Sequence, residues 1–125
     1  PFGFGLSYTN FSVSDITLTR QSLKRGEALG ASVVVKNIGQ RAGETVVQLY
    51  IRDISASISR PVKELKGFQK IMLQAGEEQV VHFNLSEEDL KFYNAQLEYA
   101  AEAGEFSVMI GLDSREVKQR RFELL

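Results

Sequence analysis

Run after run of this sequence alternates apolar and polar residues with a period of two. That period sends every second side chain to the same face of an extended strand, so such a chain must pair its strands and bury one face of each. The cleanest run is Phe106, Val108, Ile110 and Leu112. Leu29, Ala31, Val33 and Val35 form another, rich in β-branched residues that suit a pleated surface. Val47, Leu49 and Ile51 share a face opposite Gln48, Tyr50 and Arg52, while Val81, Phe83 and Leu85 mark a further strand. Phe11, Val13, Ile16 and Leu18 begin the series with a phase slip, which predicts a bulge or bend at Ser14–Asp15. Val117, Phe122 and Leu124 end it.

Turn signals separate these runs. They are Arg25-Gly26-Glu27, the glycine-punctuated stretch Asn37–Gly43, Gln74-Ala75-Gly76-Glu77, Ala103-Gly104 and Asp113-Ser114. The segment from Asp53 to Ser59 is small, polar and irregular, and reads as an exposed, shaped loop. One helical turn is expected near residues 86–91, with Ser86 as N-cap and Asp89 at the third helical position. Six or seven strands divided by turns, with almost no helix, predict an all-β, immunoglobulin-like antiparallel sandwich of about seven strands.

Between two of these strands lies Arg60-Pro61-Val62-Lys63-Glu64-Leu65-Lys66-Gly67-Phe68. Pro61 has no N–H to give a ladder, so it belongs at a strand start or an edge. Gly67 interrupts the pattern of Leu65, Phe68, Ile71 and Leu73, which predicts a bulge or a close backbone approach. Lys63, Lys66 and Lys70 read as a solvated strand edge that discourages pairing with another sheet.

Composition removes several functions. Fifteen basic residues against sixteen acidic ones leave no electrostatic footprint for nucleic acid. No run of 18 apolar residues offers a membrane-spanning helix. Without cysteine there are no disulfides, thiolate metal sites or cysteine nucleophiles, and neither a metal nor a cofactor is expected. The single histidine, His82, lies opposite Val81 and Phe83 and reads as a solvent-facing strand residue. Glu87, Glu88 and Asp89 read as solvated helix-capping acids rather than as a pair spanning a sugar. Asp53 and Asp113 fall at loop or turn positions, where Asp binds its own backbone. Gly3-Phe4-Gly5 lacks the third glycine and following helix of a phosphate cradle. Tyr8, Tyr50, Phe92, Tyr93 and Tyr99 suit the core, a docking surface or a platform for stacking sugars. Phe2 and Phe4 need covering by something outside their own strand.

The opening Pro1-Phe2-Gly3-Phe4-Gly5-Leu6-Ser7-Tyr8-Thr9 has no generic folding rationale. Together with Val47-Gln48-Leu49-Tyr50, the Arg60–Phe68 stretch, Leu73-Gln74-Ala75-Gly76-Glu77, Phe92-Tyr93 and Gly104-Glu105-Phe106, it resembles the C-terminal fibronectin type III-like domain of glycoside hydrolase family 3. Within that family it looks most like bacterial periplasmic β-glucosidases. The resemblance implies a parent that is a retaining glycosidase, with its catalytic aspartate and glutamate in upstream domains, and no catalytic residue falls on any position here. It implies a periplasmic or secreted setting. The core Trp common in such modules is absent, and Phe83, Phe106 or Tyr50 is expected to take its volume.

The expected organisation is a lead-in over residues 1–10 and a sandwich over 11–125, with Phe122-Glu123-Leu124-Leu125 as a natural C-terminus. The expected role is accessory: packing on the upstream catalytic domains and stabilising them, with oligosaccharide as a further candidate near the interface. Phe2, Phe4 and Tyr8 are the expected contact residues, with Arg60 and Pro61 at the margin. The alternatives are a carbohydrate-binding sandwich and a cell-surface adhesion or chaperone-like domain that pairs strands at an open edge.

Overall fold

The computed structural model describes residues 10–54, 63–93, 96–112 and 116–125. Six long strands carry the fold: β4 (Ala28–Asn37), β5 (Gly43–Asp53), β6 (Lys63–Leu73), β7 (Glu78–Ser86), β10 (Gly104–Leu112) and β11 (Glu116–Leu124). Five short ones accompany them: β1 (Phe11–Val13), β2 (Thr17–Leu18), β3 (Ser22–Leu23), β8 (Phe92–Tyr93) and β9 (Tyr99–Ala100). The excess over seven comes from the first expected strand, which breaks into β1 and β2, from the unexpected β3, and from the small β8–β9 hairpin.

In one sheet, β4 pairs with β7 on one side and with both β1 and β2 on the other. The second sheet runs β3-β11-β10-β5-β6. The stretch from β1 to β3 therefore begins in one sheet and ends in the other, where β3 lies parallel to β11 with Leu23 opposite Leu124. The phase slip at Ser14–Asp15 marks the break between β1 and β2. There the Ser14 N–H donates to the Val34 carbonyl at 3.0 Å, and the Val34 N–H donates back to Ser14 Oγ at 2.8 Å. The slip turns Ile16 into the core, 2% exposed. Its carbonyl accepts a 2.7 Å hydrogen bond from the Arg120 guanidinium of β11, which ties the two sheets together.

The alternating runs of β4, β5, β7 and β10 bury the face that their pattern predicts. Leu29, Ala31, Val33, Val35, Val47, Leu49, Ile51, Val81, Phe83, Leu85, Phe106, Val108 and Ile110 all join one core. The Phe106 and Phe122 rings stack at 5.6 Å and 16°, and with Phe83 they fill the centre where a Trp is lacking. Tyr50 does not contribute there. It lies half-buried on the outer face of β5, its hydroxyl 3.1 Å from Gln48 Oε1. Gly26 and Gly76 hold φ of +87° and +80° in two tight turns, a region that residues with a Cβ avoid.

Two positions expected in loops are strand residues. Asp53 ends β5, is 3% exposed and lies opposite Phe106, because β5 extends further than its apolar alternation. Residues 55–59 of the expected loop lie outside the described residues. Asn37 ends β4 and is fully buried. Its Nδ2 donates to the carbonyls of Arg41 at 2.7 Å and Leu73 at 3.1 Å, and its Oδ1 accepts from the Gly39 N–H at 2.9 Å. The side chain thus supplies hydrogen bonds that the loop after it cannot make with a ladder.

The helical turn is a 3₁₀ turn over Glu87–Leu90, and Asp89 accepts the Ser86 N–H at 2.9 Å. Glu87 is not simply solvated. Arg25 reaches it at 2.8 Å and also donates to the Ala101 carbonyl at 2.9 Å, joining the β3–β4 turn to the chain after β9.

Candidate docking face

The strand β6 lies at an edge of the larger sheet, and it carries the sharpest irregularity in the fold. Opposite Leu49 and Tyr50 of β5 stand Gly67 and Leu65, so Lys66 is the extra residue of a bulge. Both expectations for Gly67 hold. The bulge adjoins it, and the Phe83 ring lies so close that a Cβ at Gly67 would meet Phe83 Cδ1 at 3.3 Å.

The bulge also decides which residues face water. Leu65 and Phe68 are three apart and would otherwise point to opposite faces; the extra residue brings both outward. Residues directly opposite one another share a face, so the register builds rows across the outer surface. One row is Lys63, Arg52, Ser107 and Arg121; the next is Leu65, Tyr50, Met109 and Gln119; the third is Phe68, Gln48, Gly111 and Val117. Met109 and Ser107 are covered in the middle of this face, but Phe68 is 66% exposed, Met72 53% and Leu65 48%. Three large apolar side chains on one side of one strand form a patch of the kind that marks a contact surface.

Lys66 departs from the solvated-edge expectation. Its side chain is only 10% exposed, and its ammonium lies 4.9 Å from the centre of the Phe92 ring and 3.1 Å from Glu64 Oε1. The bulge turns it off the ladder and lays its stem over Phe92. Lys63 and Lys70 remain exposed, with Lys63 4.7 Å over the Tyr50 ring. Beside them, the Gln69 amide donates to the His82 carbonyl at 2.7 Å, closing one corner between β6 and β7. His82 is exposed, and its ring lies 3.2 Å from Asn84 Oδ1, as a solvent-facing strand histidine would.

Phe92 is buried, whereas Tyr93 and Tyr99 are 63% and 47% exposed with ring centres 5.0 Å apart and planes tilted by 45°. Among the described residues, no three His, Asp or Glu side chains gather as metal ligands would. The expected contact residues Phe2, Phe4, Tyr8, Arg60 and Pro61 all lie outside the described residues. Leu65, Phe68 and Met72 were not singled out from the sequence as contact residues. The signal for them was the three-residue step from Leu65 to Phe68 beside a glycine.

Residues 45–114 match the family described as the fibronectin type III-like domain. The chain belongs to that family. This fibronectin type III-like domain is 55% identical over 125 residues to the periplasmic beta-glucosidase of Salmonella typhimurium, covering 100% of the chain and 16% of that relative. It is 44% identical over 124 residues to a putative beta-xylosidase of Formosa agariphila, again covering 16% of the relative. A solved β-glucosidase from Erythrobacter marinus superposes with a TM-score of 0.87 at 46% identity, over 100% of this chain and 17% of that one. The domain therefore spans about one-sixth of the length of the proteins it matches. No helix among its described residues is long and apolar enough to cross a membrane.

Proposed function

We propose that this domain is the C-terminal accessory module of a periplasmic or secreted β-glucosidase of glycoside hydrolase family 3. In this reading, residues 11–125 form the module and residues 1–10 lead into it from the catalytic domains, which carry the nucleophile and the acid/base. The carrying observation is that the whole chain is matched by one-sixth of much longer relatives named for glycosidase activity. The same module accompanies proteins named for glucosides and for xylosides, which supports a structural role rather than choice of sugar. The apolar patch at Leu65, Phe68 and Met72 is a surface that such packing would cover. Contacts between domains of one chain usually bury roughly 600–1,500 Å². Phe2, Phe4, Tyr8, Arg60 and Pro61 remain candidates for the same interface on their sequence.

The test removes the module. The 125-residue chain alone should not hydrolyse an aryl β-glucoside. The full-length polypeptide without it should lose soluble yield and melting temperature. Unchanged melting temperature and activity after removal would count against the stabilising role.

The exposed Tyr93–Tyr99 pair favours a second reading, in which the module also holds oligosaccharide against aromatic rings. Calorimetry with cellobiose at millimolar concentration decides it, since an absence of heat removes this reading.

A further inference from the structure

At one end of the outer face, Arg52, Ile54, Ser107, Gln119 and Arg121 line an open pocket of about 200 Å³. Ser107 is 3% exposed, and its hydroxyl has no hydrogen-bond partner among the described residues. A buried hydroxyl left alone is uncommon and costs stability, so it calls for an explanation. The surrounding charge is equally unfavourable for folding. Lys63, Arg52 and Arg121 stand in one row across four strands, with Ser107 between the two arginines, and like charges set across a sheet repel. Arg121 pairs with Glu105 at 3.5 Å, and Glu123 stands opposite Glu105 in the adjoining row; the Arg121 and Glu105 side chains are both more than half exposed, so water screens that pair.

We propose that this pocket binds the carboxylate of an aspartate or glutamate carried by the rest of the full-length polypeptide. The proposal rests on the docking reading above and names the polar anchor of that contact. Two guanidinium forks can each give a carboxylate paired N–H donors, and the Ser107 hydroxyl can give one more. The same ligand neutralises the cationic row and satisfies the orphan hydroxyl. The occupant is a protein side chain because the pocket opens on the face that also exposes Leu65 and Phe68, and apolar cover there needs a protein surface. A small pocket beside an apolar patch suits one acidic side chain projecting from such a surface.

The experiment compares the full-length polypeptide with the 125-residue chain, whose two sheets bury one shared core. In the full-length protein, the rate of limited proteolysis that frees the module reports undocking. The double change R52Q/R121Q should raise that rate about tenfold or more at low salt, because removing one side of a buried charge pair mainly speeds dissociation. R52K/R121K should fall between, since lysine keeps the charge and loses the fork. Added NaCl should speed release of the unaltered module and have little effect on the glutamine variant. Ser107→Val, which fills the pocket without a hydroxyl, should also speed release.

In the chain alone, R52Q/R121Q and Ser107→Val should leave the melting temperature unchanged or raise it, since repulsion or an unpaired group is removed. Equal loss in both settings would mean that the arginines only hold the sheet together, and the proposal would fall. Unchanged release in R52Q/R121Q would also overturn it. If Phe68→Ser then speeds release, docking through this face stands without the carboxylate; if neither does, the docking face falls as well.

Discussion

Phe68 gives the docking reading a number. A Phe side chain offers about 150–250 Å² for burial. With 66% of it exposed, roughly 100–165 Å² is left for a partner to cover. At about 25 cal/mol per Å², complete cover contributes about 2.5–4 kcal/mol. Phe68→Ser should therefore destabilise the module within the full-length polypeptide by about 3 kcal/mol more than in the 125-residue chain by itself. In the chain alone, the loss is limited to the third of the ring that β6 and its neighbours already cover. The assay is urea unfolding of both proteins, followed by a probe in this module, with the midpoints and slopes compared pairwise. Equal losses in the two settings would show that nothing covers this ring, and the outer face would lose its assignment.

Other changes test how the fold holds that face in place. Asn37→Ala removes a fully buried amide that serves two carbonyls and one N–H, so urea unfolding of the chain should show a loss of about 2–4 kcal/mol. Asn37→Asp should fall close behind, because a carboxylate cannot donate to the Arg41 and Leu73 carbonyls. Lys66→Ala strips the cover from Phe92 and should cost about 1–2 kcal/mol, while Lys66→Met, which keeps the stem, should recover part of it. Glu27 sits below the ordinary glutamate range, chiefly because its carboxylate accepts the Lys24 N–H and, next, because it binds Arg20. A carboxyl lowered in the folded state stabilises above its unfolded value and loses that contribution as acid titrates it. Stability should thus fall as pH drops from about 4.5 through the lowered value, and Glu27→Gln should flatten this part of the acid limb. An NMR titration of the Glu27 carboxyl checks the direction.

The six long strands and most of the turns were legible in the sequence. Val47, Leu49 and Ile51 or Phe106, Val108 and Ile110 can bury their apolar side chains together only on one face of a strand, and that geometry is local. The turns at Gly26 and Gly76 were equally local, since each needs a backbone conformation that few residues allow. The phase slip at Ser14–Asp15 was visible too, though not that the chain would cross from one sheet to the other beyond it. Tertiary structure alone decided the rest. Whether Lys66 meets water or Phe92 depends on a hairpin some 25 residues away, and whether Asn37 is a loop residue or a buried organiser depends on the Leu73 carbonyl 36 residues on. The rows that join Arg52 to Ser107 and Arg121, and Leu65 to Tyr50, exist only once β5, β6, β10 and β11 pair in register. Side-chain alternation is a property of a strand, whereas a surface is a property of several strands brought together.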